Sequence, residues 1–367
     1  MNRTSWILAI CAALQLAAIL VFLGPDTATQ GGVIIEATQP YASLKAEDIA
    51  SISIIESDGT SVQLERERKP AANADATAPL GKFGLADKGA FPVREIELDN
   101  LVSAVQRISV GRVATRQEKS FTSLEVADQR FNRHVLLKKA DGTVLADFFL
   151  GTGKQGSSVF YRRNGGDAAH HATGVDTYEF GTSANAWVET QFTDVPTAEV
   201  TRVTLEREAG VLTLERSERE KPRAADAPPL AEGAKPETES LWTEISATPP
   251  RLADNGKVEA LLAALGRMYL AEPIGAERKA EYGFDKPTAK ATLVLKDGKT
   301  TMISVGAKRE KENDWFIERS GFNWVATIRP YTLEEYFQKK ADDLQPEAPA
   351  AVPSIAPAEN HDGHDHK

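Results

Sequence analysis

The sequence predicts an α+β protein in which an N-terminal transmembrane helix is followed by two tandem repeats, each an antiparallel sheet with an amphipathic helix. Three observations lead to this prediction. The chain begins with a continuous apolar segment at residues 6–23. Two later segments, at residues 134–151 and 281–306, share a pattern of strand, Asp-Gly turn and return strand. An apolar stripe with helical spacing precedes each of them.

The segment at residues 281–306, EYGFDKPTAKATLVLKDGKTTMISVG, carries the clearest signal. Pro287 favours an extended conformation in the residue before it, and Asp297-Gly298 is typical of a two-residue hairpin turn. Asp141-Gly142 has the same place in the earlier segment. The two halves align with an offset of roughly 150 to 157 residues, which is far longer than a solenoid repeat and indicates a duplicated domain.

Composition limits the classes of function. A chain of 367 residues, 41% of them hydrophobic, is long enough for two domains with ordinary cores. The formal net charge of −10 argues against a nucleic-acid groove, which needs a dense surface of Lys and Arg. The single cysteine, Cys11, lies in the N-terminal apolar segment. The rest of the chain therefore has no disulfide framework, thiolate metal site or cysteine nucleophile.

The N-terminal apolar segment predicts a membrane span. Residues 6–23 contain no charged side chain and include ten Ile, Leu, Val or Phe residues. A helix of that length is about 27 Å long, close to the thickness of the hydrocarbon core. Arg3 precedes the span and the next basic residue is Lys45, so the positive-inside rule places the N-terminus in the cytoplasm. We expect a single-pass inner-membrane protein whose bulk is periplasmic or otherwise extracytoplasmic.

This segment has two alternative interpretations, a cleaved signal peptide and a lipoprotein anchor. A cleaved signal peptide is the main competitor, but the apolar run is long and residues 23–29 lack an A-x-A cleavage site. A lipoprotein anchored at Cys11 is disfavoured because Ile10 is large and few apolar residues precede the cysteine. We therefore favour an uncleaved signal anchor.

The first half contains a regular order of predicted elements. Ile49, Ile52 and Ile54 lie on a first strand, and a return strand follows a turn at Asp58-Gly59. Residues 68–90, rich in Ala, Pro, Gly and Lys, predict an exposed loop. A helix is predicted over residues 95–112 with Asp99 as its N-cap. The hairpin at residues 134–150 and another strand at residues 159–163 complete this half.

The second half repeats that order. A strand pair at residues 200–216 is followed by a Pro- and Ala-rich insert, and Asp254 is the expected N-cap of a second helix. The second hairpin and a short closing helix at residues 333–337 come next. The predicted segments are a transmembrane anchor at 1–24, a tether at 25–44, a first α+β repeat at 45–192, a second at 193–344 and a disordered His- and Asp-containing tail at 345–367.

The sequence offers few candidate chemical sites. Residues 151–156, GTGKQG, spell G-x-G-x-x-G, but a dinucleotide site needs a helix after the motif and the following SSVFY predicts a strand. His361, His364 and His366 are weak metal candidates, because Zn²⁺ and Ni²⁺ accept imidazole but closed sites need a folded frame. His134, His170 and His171 are the only histidines in the predicted folded part. We assign no catalytic or cofactor-binding residue and no cofactor.

The tryptophans outside the apolar segment are more typical of core or interface positions than of sugar-binding platforms. They are Trp187, Trp242, Trp315 and Trp324. Acidic residues are numerous but scattered, so no pair of carboxylates can be proposed for acid–base work. These observations favour a binding protein over an enzyme.

The repeated plan resembles the family known as domain of unknown function 4340. The resemblance depends on Leu241-Trp242, on Leu252-Ala253-Asp254 before the second helix, and on residues 282–287, YGFDKP, before the hairpin that ends at Gly306. It covers most of residues 45–340, and the first copy departs from it, with Ser123-Leu-Glu-Val in place of the YGFDKP lead-in. The resemblance implies a bacterial membrane-anchored protein associated with an uncharacterised ABC transport system similar to gliding-motility auxiliary components.

We therefore expect a non-enzymatic, membrane-anchored extracytoplasmic binding or scaffolding protein. Its expected partner is a membrane protein, such as an ABC transporter permease or auxiliary subunit, and not a nucleic acid. Two alternatives stay open. One is a cell-envelope enzyme acting on wall or polysaccharide material, and the other is a metal-handling protein that uses the C-terminal His tail.

Overall fold

The computed structural model describes residues 37–68, 80–153, 158–221 and 238–347. Two nine-stranded antiparallel sheets dominate these residues. Within the described ranges no helix is long and apolar enough to cross a membrane, and the span predicted at residues 6–23 lies outside them.

The first sheet is built from residues of the first half of the chain. Its strands are β1 (Ser51–Ile55), β2 (Ser61–Arg68), β3 (Leu80–Leu85), β4 (Phe91–Pro92), β5 (Ser109–Thr115), β8 (Arg133–Lys138), β9 (Val144–Gly151), β10 (Val159–Arg163) and β11 (Ala169–Thr173). A separate two-stranded ribbon, β6 (Val126–Ala127) with β7 (Arg130–Phe131), lies between β5 and β8 in the chain.

The second sheet follows in the second half. Its strands are β12 (Val200–Arg207), β13 (Gly210–Glu220), β14 (Thr238–Glu244), β15 (Arg251–Leu252), β16 (Glu272–Gly275), β17 (Ala289–Leu295), β18 (Thr300–Arg309), β19 (Asp314–Arg319) and β20 (Val325–Ile328). The spatial order is β4-β3-β2-β1-β8-β9-β10-β11-β5 in the first sheet and β15-β14-β13-β12-β17-β18-β19-β20-β16 in the second. Each strand of one order has its counterpart at the same place in the other, and the predicted antiparallel sheets are confirmed.

One long helix accompanies each sheet. Helix α1 (Glu95–Arg107) carries the predicted apolar stripe and buries Leu101 and Val105. Its N-cap is Arg94, so the prediction that Asp99 caps this helix is wrong, as is the predicted end at residue 112. The residues after Arg107 switch to β5, where Val110 is buried. Helix α2 (Glu118–Phe121) is a single turn.

The second helix begins as predicted. The side chain of Asp254 accepts a hydrogen bond from the Lys257 amide at 2.9 Å at the start of helix α3 (Asn255–Gly266). Near the C-terminus, α4 (Pro330–Thr332) continues into a π-helical turn at Leu333–Phe337, which buries Leu333 and Phe337. The short closing helix is therefore also confirmed.

The predicted loop at residues 68–90 is partly wrong, because it contains strand β3. Phe83 and Leu85 alternate with Gly84 there and both are buried. Glycine leaves a gap in the apolar alternation, and this weakens the sequence signal of the strand. Gly84 also lies where an added Cβ would approach the Ala90 backbone to 2.7 Å, so the close return of the chain requires this glycine.

Three hairpins use the same turn chemistry. In each, an Asp side chain accepts a hydrogen bond from the amide two residues later: Thr60 to Asp58 at 2.8 Å, Thr143 to Asp141 at 2.8 Å and Lys299 to Asp297 at 2.9 Å. The glycine after each Asp has positive φ. The bond from Leu295 N to Lys299 O encloses three residues, and the bond from Gly298 N to Leu295 O closes a tight turn within them. The two-residue turn predicted from Asp-Gly is therefore a three-residue turn with a left-handed glycine.

One hydrophobic core extends through both sheets. Residues that alternate along the strands, such as Ile52 and Leu64 in the first sheet and Val203 and Leu214 in the second, have almost no exposed surface and belong to a single cluster with both long helices. Paired residues share a face, so these positions define the inner face of each sheet. The opposite face of each sheet is its outer face.

Candidate interaction surface

The weak metal candidates His361, His364 and His366 lie outside the described residues. Within residues 37–68, 80–153, 158–221 and 238–347, no group of three or more His, Cys, Asp or Glu is arranged to hold a metal ion. In the G-x-G-x-x-G stretch, Gly151 ends β9 and the next described element, β10, begins at Val159. Among the described residues, the element that follows the motif is a strand, so none of them supplies the helix N-terminus that a pyrophosphate site needs.

The three histidines of the first sheet are held in local contacts. Nε2 of His134 lies 2.7 Å from Oδ1 of Asp147, and its ring stacks on Phe149 with centroids 4.3 Å apart. Nδ1 of His170 lies 3.2 Å from the Gly111 carbonyl oxygen. Burial and the nearby charge of Arg112 lower the pKa of His171. These contacts join each histidine to a neighbouring strand of the sheet, His134 to β9 and the other two to β5.

The tryptophans take the core and interface positions predicted for them. Trp187 and Trp242 are buried in the common core, and Trp315 and Trp324 pack against it. The Trp324 indole Nε1 donates to the Gly89 carbonyl at 3.0 Å, which joins the second half of the chain to the first.

Aromatic rings form much of the junction between the two sheets. Phe91 of β4 packs edge-on against Phe322 at a centroid distance of 5.6 Å and lies 6.2 Å from Trp324. Phe322 also packs edge-on against Phe192 at 5.8 Å. Aromatic pairs in these geometries add to the stabilisation that burial of their area provides. The edge strand β4 of the first sheet is therefore covered by the second.

A charged network crosses the same junction. Lys88 Nζ lies 3.1 Å from Glu272, and Arg309 contacts Glu272 at 2.7 Å and Asp314 at 2.6 Å. Burial by itself would raise the pKa of both carboxyls, but hydrogen bonds from Arg309 to both and from Lys88 to Glu272 keep each below its usual value. These bonds satisfy the charges that the junction removes from water.

The equivalent edge of the second sheet has different chemistry. Leu85 and Phe91 pair across β3 and β4, whereas Glu244 and Arg251 pair at the same place across β14 and β15. An Arg251 nitrogen lies 2.8 Å from Glu244 and another lies 3.2 Å from Asp342. Charged residues at a sheet edge disfavour pairing with another strand. The apolar β3–β4 edge, by which the first sheet contacts the second half of the chain, is thus not repeated at the β14–β15 edge of the second sheet.

The outer face of the second sheet carries an uncharged stripe across four strands, β13, β12, β17 and β18, and onto the residue that follows β14. Cross-strand neighbours place Thr213 beside Thr204, Thr204 beside Thr292 and Thr292 beside Met302, and the Ile245 amide donates to the Thr213 carbonyl at 2.9 Å. We call Ile245, Thr213, Thr204, Thr292 and Met302 the threonine stripe. Its two end residues are large apolar side chains that stay accessible, with 39% of Ile245 and 43% of Met302 exposed.

Ion pairs border the threonine stripe on both sides. Arg202 contacts Glu215 at 2.9 Å on one side, and Lys290 contacts Glu206 at 3.1 Å on the other. Leu252 and Val211, each more than half exposed, extend the apolar surface beyond these pairs. An uncharged centre with a charged rim is the usual composition of a protein–protein interface.

The sequence model of one family, described as "Domain of unknown function (DUF4340)", matches residues 84–248 and 242–356. Together these ranges cover well over half of the 367 residues. The chain belongs to the DUF4340 family. Comparison with curated proteins and with solved structures found no match.

The two DUF4340 matches begin at equivalent places in the fold. The first starts at Gly84 in β3 and the second at Trp242 in β14, and these strands occupy the same position in the two sheets. The family resemblance inferred from the YGFDKP and Leu241-Trp242 motifs is therefore confirmed. The threonine stripe was not predicted, because its residues come from separate strands whose register only the fold establishes.

Proposed function

We propose that this DUF4340 protein is a non-enzymatic, membrane-anchored extracytoplasmic protein that binds a membrane partner as an accessory to an ABC-type transport complex. The observation that carries the proposal is the threonine stripe, an uncharged surface that crosses four strands and ends in exposed Ile245 and Met302. Threonine and isoleucine are stiff at χ1, so the four β-branched residues of the stripe lose little side-chain entropy when they are covered.

The rigidity of the sheet supports a binding role. The inner face below the stripe belongs to the common core, and the aromatic and charged contacts of Phe91, Lys88 and Trp324 fix the second sheet against the first. A preorganised surface binds more tightly than one that must order on contact.

The predicted membrane anchor strengthens this role. A helix at residues 6–23, followed by a tether of about 20 residues, would hold the sheets within a short distance of the bilayer. Confinement of this kind raises the effective concentration of the stripe for a partner in the same membrane. The association with an ABC system is implied by the family resemblance and supplies the class of partner.

Affinity purification from membranes in a mild detergent tests the proposal. We expect the wild-type chain to recover an ABC-type permease or ATPase, and the double variant Ile245→Asp, Met302→Asp to lose it. The matched control is Val144→Asp, which places one carboxylate at a half-exposed position of the first sheet. Recovery of the same partner by the double variant would show that the threonine stripe is not the binding surface. Recovery of the chain alone, with a hydrolytic activity lost on mutation of one carboxylate, would overturn the non-enzymatic role.

A further inference from the structure

A second site lies on the outer face of the first sheet, around the side chain of Arg162. Arg162 lies on β10 and is only 4% exposed. It is at the base of a cleft of about 720 Å³ whose lining includes Arg116 and Lys119. A buried arginine at the base of an open cleft is unusual, because a guanidinium is costly to remove from water without full pairing.

The guanidinium is held in place by protein contacts that do not use all its donors. Nε donates to the Val126 carbonyl at 2.6 Å, Nη1 to the Gly166 carbonyl at 3.4 Å, and Nη2 to Asp128. Arginine has five N–H donors. Among the described residues, one donor on each terminal nitrogen is left over, and two parallel donors of this kind match the two oxygens of a carboxylate.

Aromatic rings fix the orientation of the same group. The guanidinium carbon lies 5.1 Å from the Phe121 ring centroid and 4.6 Å from that of Phe149. Cation–π contacts of this length stabilise a cation whose hydration is reduced. The donors of Arg162 are therefore preorganised, which is the requirement for binding a small anionic group with useful affinity.

The acidic side chains of the cleft are largely in water, whereas its arginine is buried. The Asp128 side chain is 74% exposed and that of Asp167, which lies 3.3 Å from Arg116, is 89% exposed. Glu118 also lines the cleft. Because Asp128 is largely exposed, an entering carboxylate can compete with it for Arg162 while Asp128 turns to solvent.

The second sheet has no such arrangement at the equivalent place. There the strand residue is Glu318, which accepts bonds of 2.9 and 3.3 Å from Arg278, and the arginine is the exposed partner at 51%. The neighbouring cleft is smaller, about 420 Å³. At this place in the described part of the chain, the strand residue is a buried cation in the first repeat but not in the second, and the covering segment of the second repeat packs without one.

We propose that the cleft around Arg162 binds a carboxylate group, with Asp128 as the internal competitor and Arg116 and Lys119 as the cationic rim. The carboxylate could come from a small molecule or from an acidic side chain of a protein. The proposal stands apart from the function assigned to the threonine stripe, which lies on the other sheet.

Isothermal titration calorimetry of the full chain in detergent, at fixed ionic strength, tests this site with two probes. Citrate represents a free carboxylate ligand, and a tetraglutamate peptide represents an acidic protein segment. We expect Asp128→Asn to tighten binding of the better probe by about fivefold or more, because it removes an internal competitor with a high effective concentration. We expect Lys119→Gln, at the rim, to weaken it about two- to fivefold.

The matched control is Asp285→Asn in the second repeat. Asp285 is 86% exposed and lies 3.5 Å from Arg278, so the variant changes net charge equally without touching the cleft. It should bind both probes like the wild type. Binding of citrate but not of the peptide would assign a small-molecule carboxylate, and the reverse would assign a protein segment. Equal affinity in Asp128→Asn and Asp285→Asn, or no binding of either probe, would overturn the proposal.

Discussion

Arg162 and Glu318 occupy the same position in the two sheets and carry opposite charges. Each lies three residues before a glycine with positive φ, Gly165 or Gly321. Each pairs with the opposite charge of the segment that covers its outer face, Arg162 with Asp128 and Glu318 with Arg278. Both halves thus keep an ion pair at this position. The strand supplies the cation in the first half, and the covering segment supplies it in the second.

Because of this exchange, we expect substitution of the strand residue to lower the free energy of unfolding by different amounts in the two halves. Arg162→Gln should lower the free energy of unfolding by about 2–4 kcal/mol, because it removes a buried side chain held between two rings and two carbonyls. Glu318→Gln should cost at most about 1 kcal/mol, since its partner Arg278 is half exposed and screened. Urea denaturation of both variants measures the difference. Equal costs would contradict the asymmetry.

Two glycines at equivalent places, Gly151 at the end of β9 and Gly306 within β18, predict a second effect. A Cβ on Gly306 would lie 1.9 Å from the Tyr282 carbonyl oxygen, and one on Gly151 would lie 1.8 Å from that of Leu124. Either alanine variant must displace backbone, so we expect a loss of about 3 kcal/mol or more. Gly298→Ala is the control, because its φ is positive but its Cβ would meet open space. It should cost only about 1–2 kcal/mol. Thermal and urea unfolding compare the three, and a Gly306→Ala variant as stable as Gly298→Ala would show that the covering segment can move away.

The contact between a strand glycine and the carbonyl of the covering segment also relates the two lead-in segments, residues 123–126 and YGFDKP, whose sequences differ. Ser123-Leu-Glu-Val departs from YGFDKP, yet the Leu124 carbonyl lies against Gly151 as the Tyr282 carbonyl lies against Gly306. Glu125 adopts φ 55°, close to the 73° of Gly283. A non-glycine residue with positive φ leaves no mark in the sequence, so the match could be seen only in the structure.

Local signals were sufficient for the hairpins and for the second helix. Asp-Gly turns and the Asp254 cap act within a few residues, so their sequence patterns are reliable even where the loop length was misjudged. The junction and the Arg162 cleft depend on long-range contacts. Phe91 meets Phe322 and Arg162 meets Asp128 only after the strands are in register, and no spacing in the sequence encodes those contacts.

The charged network at the junction predicts loss of stability in acid. The pKa values of Glu272 and Asp314 are lowered in the fold, so their contribution is fully present above the unfolded values, about 4.3 and 3.9, and is lost as pH falls through the folded values. Asp314→Asn should be less stable at pH 7 and should lose less stability between pH 5 and pH 3 than the wild type. Urea unfolding across that range measures both effects. Glu310→Gln, an 82% exposed neighbour, is the control and should keep the wild-type slope.

The histidine tail predicts a separable metal effect. If His361, His364 and His366 bind Zn²⁺ or Ni²⁺, deletion of residues 359–367 should remove that binding, because imidazoles are the suitable ligands in this stretch. We expect the truncated protein to keep its partner in membrane purification. Calorimetry with each metal, before and after deletion, gives the measurement. Micromolar binding by the full chain together with loss of the partner on deletion would favour the metal-handling alternative.

The last prediction concerns the membrane topology. Arg3 lies before the apolar segment and no Lys or Arg follows it until Lys45, so the charge difference across the segment favours a cytoplasmic N-terminus. A reporter enzyme active only outside the cytoplasm, fused after Gln345, should therefore be active, and a cytoplasmic reporter at the same site should not. Gln345 is suitable because its backbone and side chain are held by Lys257 and Glu244, so the fusion begins beyond the folded contacts.

The control carries Arg3→Glu with two lysines inserted after Gly24, which reverses the charge difference and should reduce or invert the signal. N-terminal sequencing of the membrane-bound protein then separates an anchor from a cleaved signal peptide, since an intact Met1 or Asn2 requires that residues 6–23 are retained. A cytoplasmic reporter signal from the unmodified chain would contradict both the topology and the access of the threonine stripe to an extracytoplasmic partner.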